Sequence, residues 1–349
     1  MRGFLQNSAE IFSQRGMFLN HHFNNYMVRE EKRIVEAYEV GFENRSSNLK
    51  KIFGEFFERE VLINTNVSKN LDIYTSSLVK RATKKFPSGI FIAKDRFVDS
   101  CGMASHTNSS DVIKTSFFEF FERQSLITSY LSKNVSPEII LGKDITLEKT
   151  EIYLKNYVDT IRYFNISLSN RIYVILCIGY GDNKCIGLGT SDNMQTAIIK
   201  SQIEALQYFA TDFSKYNSNS SLFDSIDNKK DLYHSKFDSL QTKEFINLYS
   251  YLLDGTAPKK IAKDSNQNID SSFDFDSFIA YCNTELKMVP LIAVFYPNEK
   301  IAHLKVVKIH DENWFPHINP EYYKSSSIDF VSDVINTPLD KSITYLPFP

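Results

Sequence analysis

The sequence predicts a mixed α/β (α+β) fold in which helices pack on short strands. An eight-residue stretch occurs twice, as F-G-E-F-F-E-R-E at residues 53–60 and F-F-E-F-F-E-R-Q at residues 117–124, each within a helical pattern. Apolar runs at 172–179 and 184–189 flank Y-G-D-N, the signature of a β-hairpin. Two further apolar runs of strand length fall at 289–295 and 303–309.

Residues 1–45 are polar and aromatic, with His21-His22 and a charged cluster from Arg29 to Arg33. The paired histidines have no partner at metal-ligand spacing and are read as structural. From 47 to 64 the pattern is helical, with Asn44 or Ser46-Ser47 as candidate caps. F-P-S-G-I-F-I-A-K-D-R-F-V-D-S, at 86–100, reads as a turn followed by a short strand. Residues 101–111, C-G-M-A-S-H-T-N-S-S-D, form a small-residue loop leading into a helix over 109–131. Free N–H groups at such a helix start favour an anion, and His106 is read as a surface or capping residue. Residues 145–168 read as helical. After the hairpin, a Gly/Ser/Thr turn at 187–192 opens a third helix, where Glu204 and Gln207 repeat the i, i+3 spacing with Gln in place of the second Glu. Residues 212–245 and 261–276 are rich in Ser, Asn, Asp and Lys and read as surface loops. The sole tryptophan is Trp314, and the chain ends Y-L-P-F-P, an apolar terminus expected to dock into a groove.

A chain of 349 residues can bury a substantial core. We expect a single catalytic domain over 1–349, with an N-terminal extension at 1–45, a loop-rich insertion at 212–276 and a P-F-P tail at 347–349. A net charge of −2 excludes an electrostatic nucleic-acid binder. Cys101, Cys177, Cys185 and Cys282 form no C-x-x-C pair and read as reduced thiols. There is no apolar run of signal-peptide or membrane-span length, so the expected location is cytoplasmic, away from membranes.

Each copy of the repeat places Glu, Glu and Arg at i, i+3 and i+4. Glu55, Glu58 and Arg59 therefore share one helix face, as do Glu119, Glu122 and Arg123. Phe53 and Phe57, and Phe117 and Phe121, fall on the opposite faces. A single E-x-x-E-R is usually a solvated face with a local ion pair. Two copies anchored by phenylalanines point to a site for metal ions and phosphates. Mg²⁺ takes oxygen ligands and neutralises nucleotide phosphates, glutamates from separate helices build such sites in cores, and arginine matches phosphate oxygens with two parallel donors. A di-iron centre needs E-x-x-H, which these helices lack. Walker and protein-kinase motifs are also absent from the sequence.

In their order, these pieces resemble the YcaO-domain family, whose members use ATP to activate a peptide backbone amide. G-E-F-F-E-R (54–59) is similar to the family's first nucleotide motif, and D-S-C-G-M-A-S-H through E-F-F-E-R-Q-S (99–125) resembles the second. G-L-G-T-S through I-E-A-L-Q (187–207) looks like the third. Val306 to Ile309 with Pro316-His317 resemble the late strand and loop, and Pro347-Phe348-Pro349 the proline-rich end. The chain departs from the pattern at Gly41-Phe42 and Lys51, at Cys101, where Asn is usual, and at Lys308, where Arg is frequent.

The resemblance implies a YcaO-like fold and an ATP- and Mg²⁺-dependent cyclodehydratase that makes thiazoline and oxazoline rings in a ribosomal precursor peptide. It implies Glu55, Glu58, Glu119 and Glu122 as Mg²⁺ ligands and Arg59 and Arg123 as phosphate contacts. Asp111, Glu204 and Gln207 are further candidates for nucleotide or metal contact. The Pro349 carboxylate, with Pro347, is expected to orient the substrate amide or move a proton. Implied partners are a separate leader-peptide-binding subunit like a ubiquitin-activating enzyme and a flavin-dependent dehydrogenase subunit, in a hetero-oligomer. A non-catalytic scaffold subunit and a thioamide- or amidine-forming enzyme are the alternatives.

Overall fold

The first regular structure is a three-stranded antiparallel sheet of β1 (Ala9–Arg15), β2 (Asn24–Glu30) and β3 (Val35–Gly41), in that order. The structure is a computed structural model. It describes residues 9–15, 24–30, 35–41, 45–63, 72–92, 97–141, 145–217, 229–256, 258–261, 273–296 and 303–349. His21-His22 and most of the charged cluster after Arg29 lie outside these residues. The chain divides into two compact units, Met1–Phe120 with Val289–Asp311, and Phe121–Met288 with Glu312–Pro349.

In the first unit, helix α1 (Arg45–Ile63) packs on β3 and β2. Ile52, Phe56, Phe57, Val61 and Leu62 are buried with Ala37, Val98, Met103 and Val306. Phe56 therefore joins Phe57 in the core, and Phe53 is only partly buried, because the apolar face is wider than the Phe53/Phe57 line. A second sheet has the order β5-β4-β12-β13-β6 and is antiparallel throughout. Its strands are β4 (Asp72–Ser77), β5 (Thr83–Pro87), β6 (Met103–His106), β12 (Leu291–Phe295) and β13 (Lys305–His310).

Two elements of this unit differ from the expected ones. A strand precedes the Pro-Ser-Gly turn: β5 ends at Pro87 and a 3-10 turn covers Ser88–Ile90, while part of the strand expected after the turn lies outside the described residues. Proline cannot donate to a ladder and sits here at the end of an edge strand. The small-residue loop contains β6, whose partner β13 lies some two hundred residues onward, beyond local sequence signals. Gly102 opens that loop with φ +67, and a Cβ there would press within 3.1 Å of the Ile309 carbonyl and of the Phe120 Cβ.

In the second unit the sheet order is β10-β9-β8-β7-β11, built from β7 (Glu138–Ile140), β8 (Thr160–Asn165), β9 (Tyr173–Tyr180), β10 (Lys184–Ser191) and β11 (Lys259–Ile261). The expected hairpin is β9–β10, and every residue of β10 is buried. Residues 145–168 divide into α3 (Ile145–Leu154) and the strand β8, because Thr160 to Asn165 pair with β9. Arg162 donates to both carboxylate oxygens of Glu138 at 2.7 Å and to the Leu253 carbonyl at 2.7 Å, tying β7 and β8 to the helical side of the unit.

Helix α2 (Ser109–Ser132) supplies residues to both units: Phe117 and Phe120 are buried in the first, and Phe121 in the second. Gln124 receives the Phe315 N–H at 3.0 Å and donates to the Phe315 carbonyl at 2.9 Å, fixing the segment that holds the buried Trp314. Helix α4 (Met194–Asn217) lies on β10 and β9.

Much of the stretch expected to be loops is helical: α5 (Lys229–Ser239), α6 (Thr242–Leu248), α7 (Ser250–Leu253) and the start of α8 (Phe275–Glu285). Tyr233, Phe237, Phe245, Tyr249 and Leu252 are buried, so tertiary packing overrides a polar composition. The last helix is α9 (Ser325–Val334). The apolar end docks as expected: Leu346, Pro347 and Phe348 are buried, with the Tyr233 hydroxyl donating to the Leu346 carbonyl and the Tyr249 hydroxyl to the Pro347 carbonyl at 3.0 Å.

All four cysteines are free and buried. Burial raises the Cys177 thiol well above its usual range, pushes Cys185 up to about 12, and raises Cys282 as well. Among the described residues no helix is long and apolar enough to cross a membrane.

The tightest seam is between β10 and α4. A Cβ on Gly189 would run into the Ala197 carbonyl and the Ser201 amide, and one on Gly187 into the Ser201 carbonyl and the Ala205 amide. These obstacles are backbone and cannot swing aside. Gly189→Ala is expected to cost about 1–3 kcal/mol, read as a lower midpoint in urea; an unchanged midpoint would contradict the seam.

Candidate functional site

The first Glu/Glu/Arg set lies on α1, opposite its buried phenylalanines. Glu55 and Arg59 form an i, i+4 ion pair at 2.5 Å, both partly exposed. Glu58 is half-buried by surface area, yet its carboxyl is packed in, and burial raises its pKa from about 4.5 to about 8. The Ser105 hydroxyl and main chain bond to it and partly offset that, while the neighbouring Glu55 charge adds to the rise. Gly54 explains how β6 comes so near: a Cβ there would lie 2.6 Å from the Ser105 hydroxyl oxygen. The glycine of G-E-F-F-E-R thus serves packing and brings a donor to Glu58.

Glu119, on α2, is half-buried in the same unit. Lys308 on β13 is buried and donates to the Asp99 carbonyl. Burial lowers its pKa, while the charges of Asp99 and Glu119 act the other way. Asp99 in turn accepts the Cys101 N–H at 2.9 Å. The start of α2 is closed by its own loop. Asn108 accepts the N–H groups of Ser110 at 2.8 Å and Asp111 at 3.2 Å, and His106 Nδ1 accepts that of Asn108 at 2.9 Å. Asn108 thus caps the helix while His106 is an exposed residue holding Asn108, and the Ser110 and Asp111 N–H groups, expected to be free for an anion, are taken. Asp111 is exposed, 3.8 Å from His106.

In the second unit, Glu122 accepts from the Thr190 hydroxyl at 2.7 Å, and Lys200 donates to the Thr190 carbonyl at 2.9 Å. Arg123 donates to Glu204 at 3.3 Å, and the Leu188 N–H donates to the other Glu204 oxygen at 2.5 Å. Leu188 lies between the two glycines of the β10–α4 seam, so that close approach places a main-chain donor at Glu204. Burial raises the Glu204 pKa to about 7; Arg123 opposes the shift and Glu122 adds to it. Gln207 lies half-buried one helical turn beyond. The Phe348 ring covers Arg123, its centroid 4.6 Å from the guanidinium carbon.

Sequence reasoning did not single out Ser105, Thr190 or Phe348 as site residues. The first two lie on strands far from the glutamates they serve, and no local pattern marks them. Phe348 lies in the P-F-P tail between the two prolines expected to act on the substrate.

Among the described residues, no three His, Cys, Asp or Glu side chains gather as a metal cage. Mg²⁺ seldom uses one; it takes one or two carboxylates and completes its shell with phosphate and water. The donors suit that pattern. The first unit offers Glu55, Glu58, Glu119 and Arg59, and the second Glu122, Arg123 and Glu204. Glu58 and Glu204 are carboxylates whose burial nearby donors offset only in part, which a divalent cation would relieve.

Acidic helix faces alternating with guanidinium groups on an α+β scaffold offer donors of the kind that suit phosphate with a hard cation. Residues 64–309 match the family model for YcaO cyclodehydratases, described as ATP- and Mg²⁺-binding. The chain belongs to the YcaO family. The matched segment contains the second and third motifs. Among solved structures, the fold is shared with the E. coli microcin synthetase McbBCD complex with pro-MccB17 bound, at 18% identity and TM-score 0.73 over 97% of this chain and 96% of that one. It is shared with YcaO from Methanopyrus kandleri bound with AMPPCP and Mg²⁺, at 13% identity and TM-score 0.67 over 88% and 86%. A heterocyclase in complex with substrate and cofactor matches at 14% identity and TM-score 0.70 over 99% of this chain and 56% of that one. No curated protein matches the sequence. D-S-C-G, E-R-Q-S and P-F-P resemble the cyclodehydratase component of microcin B-type synthetases.

Glu58 yields a pH test. Its folded pKa lies above its ordinary value, so its contribution to folding is fully present below about pH 4.5 and is lost as pH rises through about 8. Without metal, Glu58→Gln is expected to melt at a higher temperature than wild type at pH 8, with the gap closing toward pH 4.5. Parallel melting curves across that range would refute the burial of this carboxylate.

Proposed function

We propose that the chain is the ATP-dependent cyclodehydratase subunit of an azole-modified peptide (bacteriocin) pathway, acting in the cytoplasm as one catalytic domain. It converts Cys, Ser or Thr residues of a ribosomally made precursor peptide into thiazoline or oxazoline rings. The observation that carries this reading is the pair of Glu/Glu/Arg faces, each backed by buried phenylalanines, in a chain of the YcaO family.

A peptide side-chain nucleophile adds to the preceding amide carbonyl. The oxygen of that adduct takes the γ-phosphoryl group of ATP, releasing ADP. It then leaves as phosphate while the amide nitrogen loses its proton, and the C=N bond of the azoline forms. Phosphoryl transfer of this kind depends on positioning and on neutralising charge. Bound Mg²⁺ supplies that neutralisation at the phosphates. Glu55, Glu58, Glu119 and Glu122 are assigned to hold it, and Arg59 and Arg123 to hold phosphate oxygens in their paired donors. Asp111, Glu204 and Gln207 are secondary contacts for nucleotide or metal. Pro347 and Pro349 are assigned to the substrate amide. A leader-binding subunit presents the peptide, and a flavin-dependent dehydrogenase oxidises the product.

With precursor peptide, the leader-binding subunit, ATP and Mg²⁺, and without the dehydrogenase, mass spectrometry is expected to record the loss of a water for each ring formed. An unchanged peptide mass would favour a scaffold role, and exchange of oxygen for sulfur a thioamide synthase. Glu55→Gln and Glu119→Gln are each expected to lower ATP turnover about 100-fold or more with wild-type melting curves. Normal ring formation by either would remove the metal assignment.

A further inference from the structure

Phe348 is buried, at 1% exposure, and its ring lies 4.6 Å from the Arg123 guanidinium carbon. Both residues belong to the second unit, as do those that hold the tail. The Phe348 N–H donates back to the Leu346 carbonyl at 2.9 Å, a tight turn about Pro347 that fixes where the ring points. Tyr233 on α5 and Tyr249 at the end of α6 donate their hydroxyls to the carbonyls of Leu346 and Pro347. The tail is thus pinned at two consecutive residues just before the ring.

A ring against a guanidinium attracts the cation through its face. It also takes no hydrogen-bond donor from it, because the five N–H groups of arginine point outward in the guanidinium plane. Glu204 accepts an N–H of Arg123 at 3.3 Å. Ring and carboxylate together restrict how Arg123 can turn, and so the direction in which its N–H groups lie. We propose that Phe348 is a positioning residue that presents Arg123 to phosphate oxygens, so the P-F-P tail acts on the nucleotide through its phenylalanine. This rests on the assignment of Arg123 to phosphate above and adds a role for a residue that assignment leaves idle.

The test is calorimetric titration of the full chain with a non-hydrolysable ATP analogue and Mg²⁺, with melting curves for every variant. Phe348→Leu keeps an apolar side chain but removes the aromatic face, and it is expected to weaken binding about five- to tenfold. Phe348→Tyr keeps the face and is expected to bind within about twofold of wild type. In an Arg123→Lys background, which has no planar group to stack, Phe348→Leu is expected to change affinity less than about twofold. Undiminished binding by Phe348→Leu, or the same loss in the Arg123→Lys background, overturns the positioning role. If Phe348→Leu melts early, Tyr249→Phe substitutes for it by releasing the Pro347 carbonyl: weaker binding at wild-type melting temperature supports the role, and unchanged binding overturns it. A wild-type chain that binds no nucleotide overturns the nucleotide reading and this proposal with it. Binding by wild type with an unmoved Phe348→Leu overturns this proposal alone.

Discussion

The governing constraint is the cost of holding carboxylates against packed aromatic cores. Helix α1 keeps Phe56 and Phe57 inside while Glu55 and Glu58 stand on its other face, and α2 does the same with Phe117, Phe120 and Phe121 against Glu119 and Glu122. A carboxylate so placed loses water and must find donors or a positive charge, or else take up a proton. In the first unit Glu58 finds a serine and the opposing charge of Arg59, while Lys308, on which the Glu119 charge acts, is itself buried. In the second, Glu204 finds a backbone amide and an arginine, and Glu122 a threonine.

Close backbone approach supplies these donors. Strand β6 reaches Glu58 because position 54 has no side chain, and β10 reaches Glu204 because positions 187 and 189 have none. The glycines of the motifs therefore act at one remove from any ligand: they set the distance between a strand and a helix, and the strand then offers a hydroxyl or an N–H. This differs from a phosphate-binding glycine loop, where the backbone itself meets the anion. In keeping with that difference, the loop before α2 spends N–H groups on its own Asn108 and His106.

What could be read from the sequence was what local periodicity encodes. Helices α1, α2 and α4 and the β9–β10 hairpin announce themselves through apolar spacing and turn residues, and the acidic faces follow from i, i+3 arithmetic. The rest depended on partners remote in the chain. Thr160 to Asn165 become a strand only beside β9, and Met103 to His106 only beside β13. Helices α5 to α7 arise from a sequence dominated by polar residues because Tyr233, Phe237, Phe245 and Tyr249 find one another in the core. Lys308 was legible as a departure from the family pattern, but its burial beside Asp99 was not. Phe348 was visible, yet nothing in its neighbours points to an arginine more than two hundred positions earlier.

The buried cysteines bear on chemical selectivity. Chemistry that directs a peptide thiol at a carbonyl is vulnerable to competing thiols within reach of the same electrophile, and a thiolate is far the stronger competitor. Here Cys177, Cys185 and Cys282 are held in the protonated form by burial, and Cys101 is enclosed as well. The folded chain thus keeps its own thiols out of reach of thiol-directed reagents, and under the proposed function alkylation would report on the cysteines of the peptide.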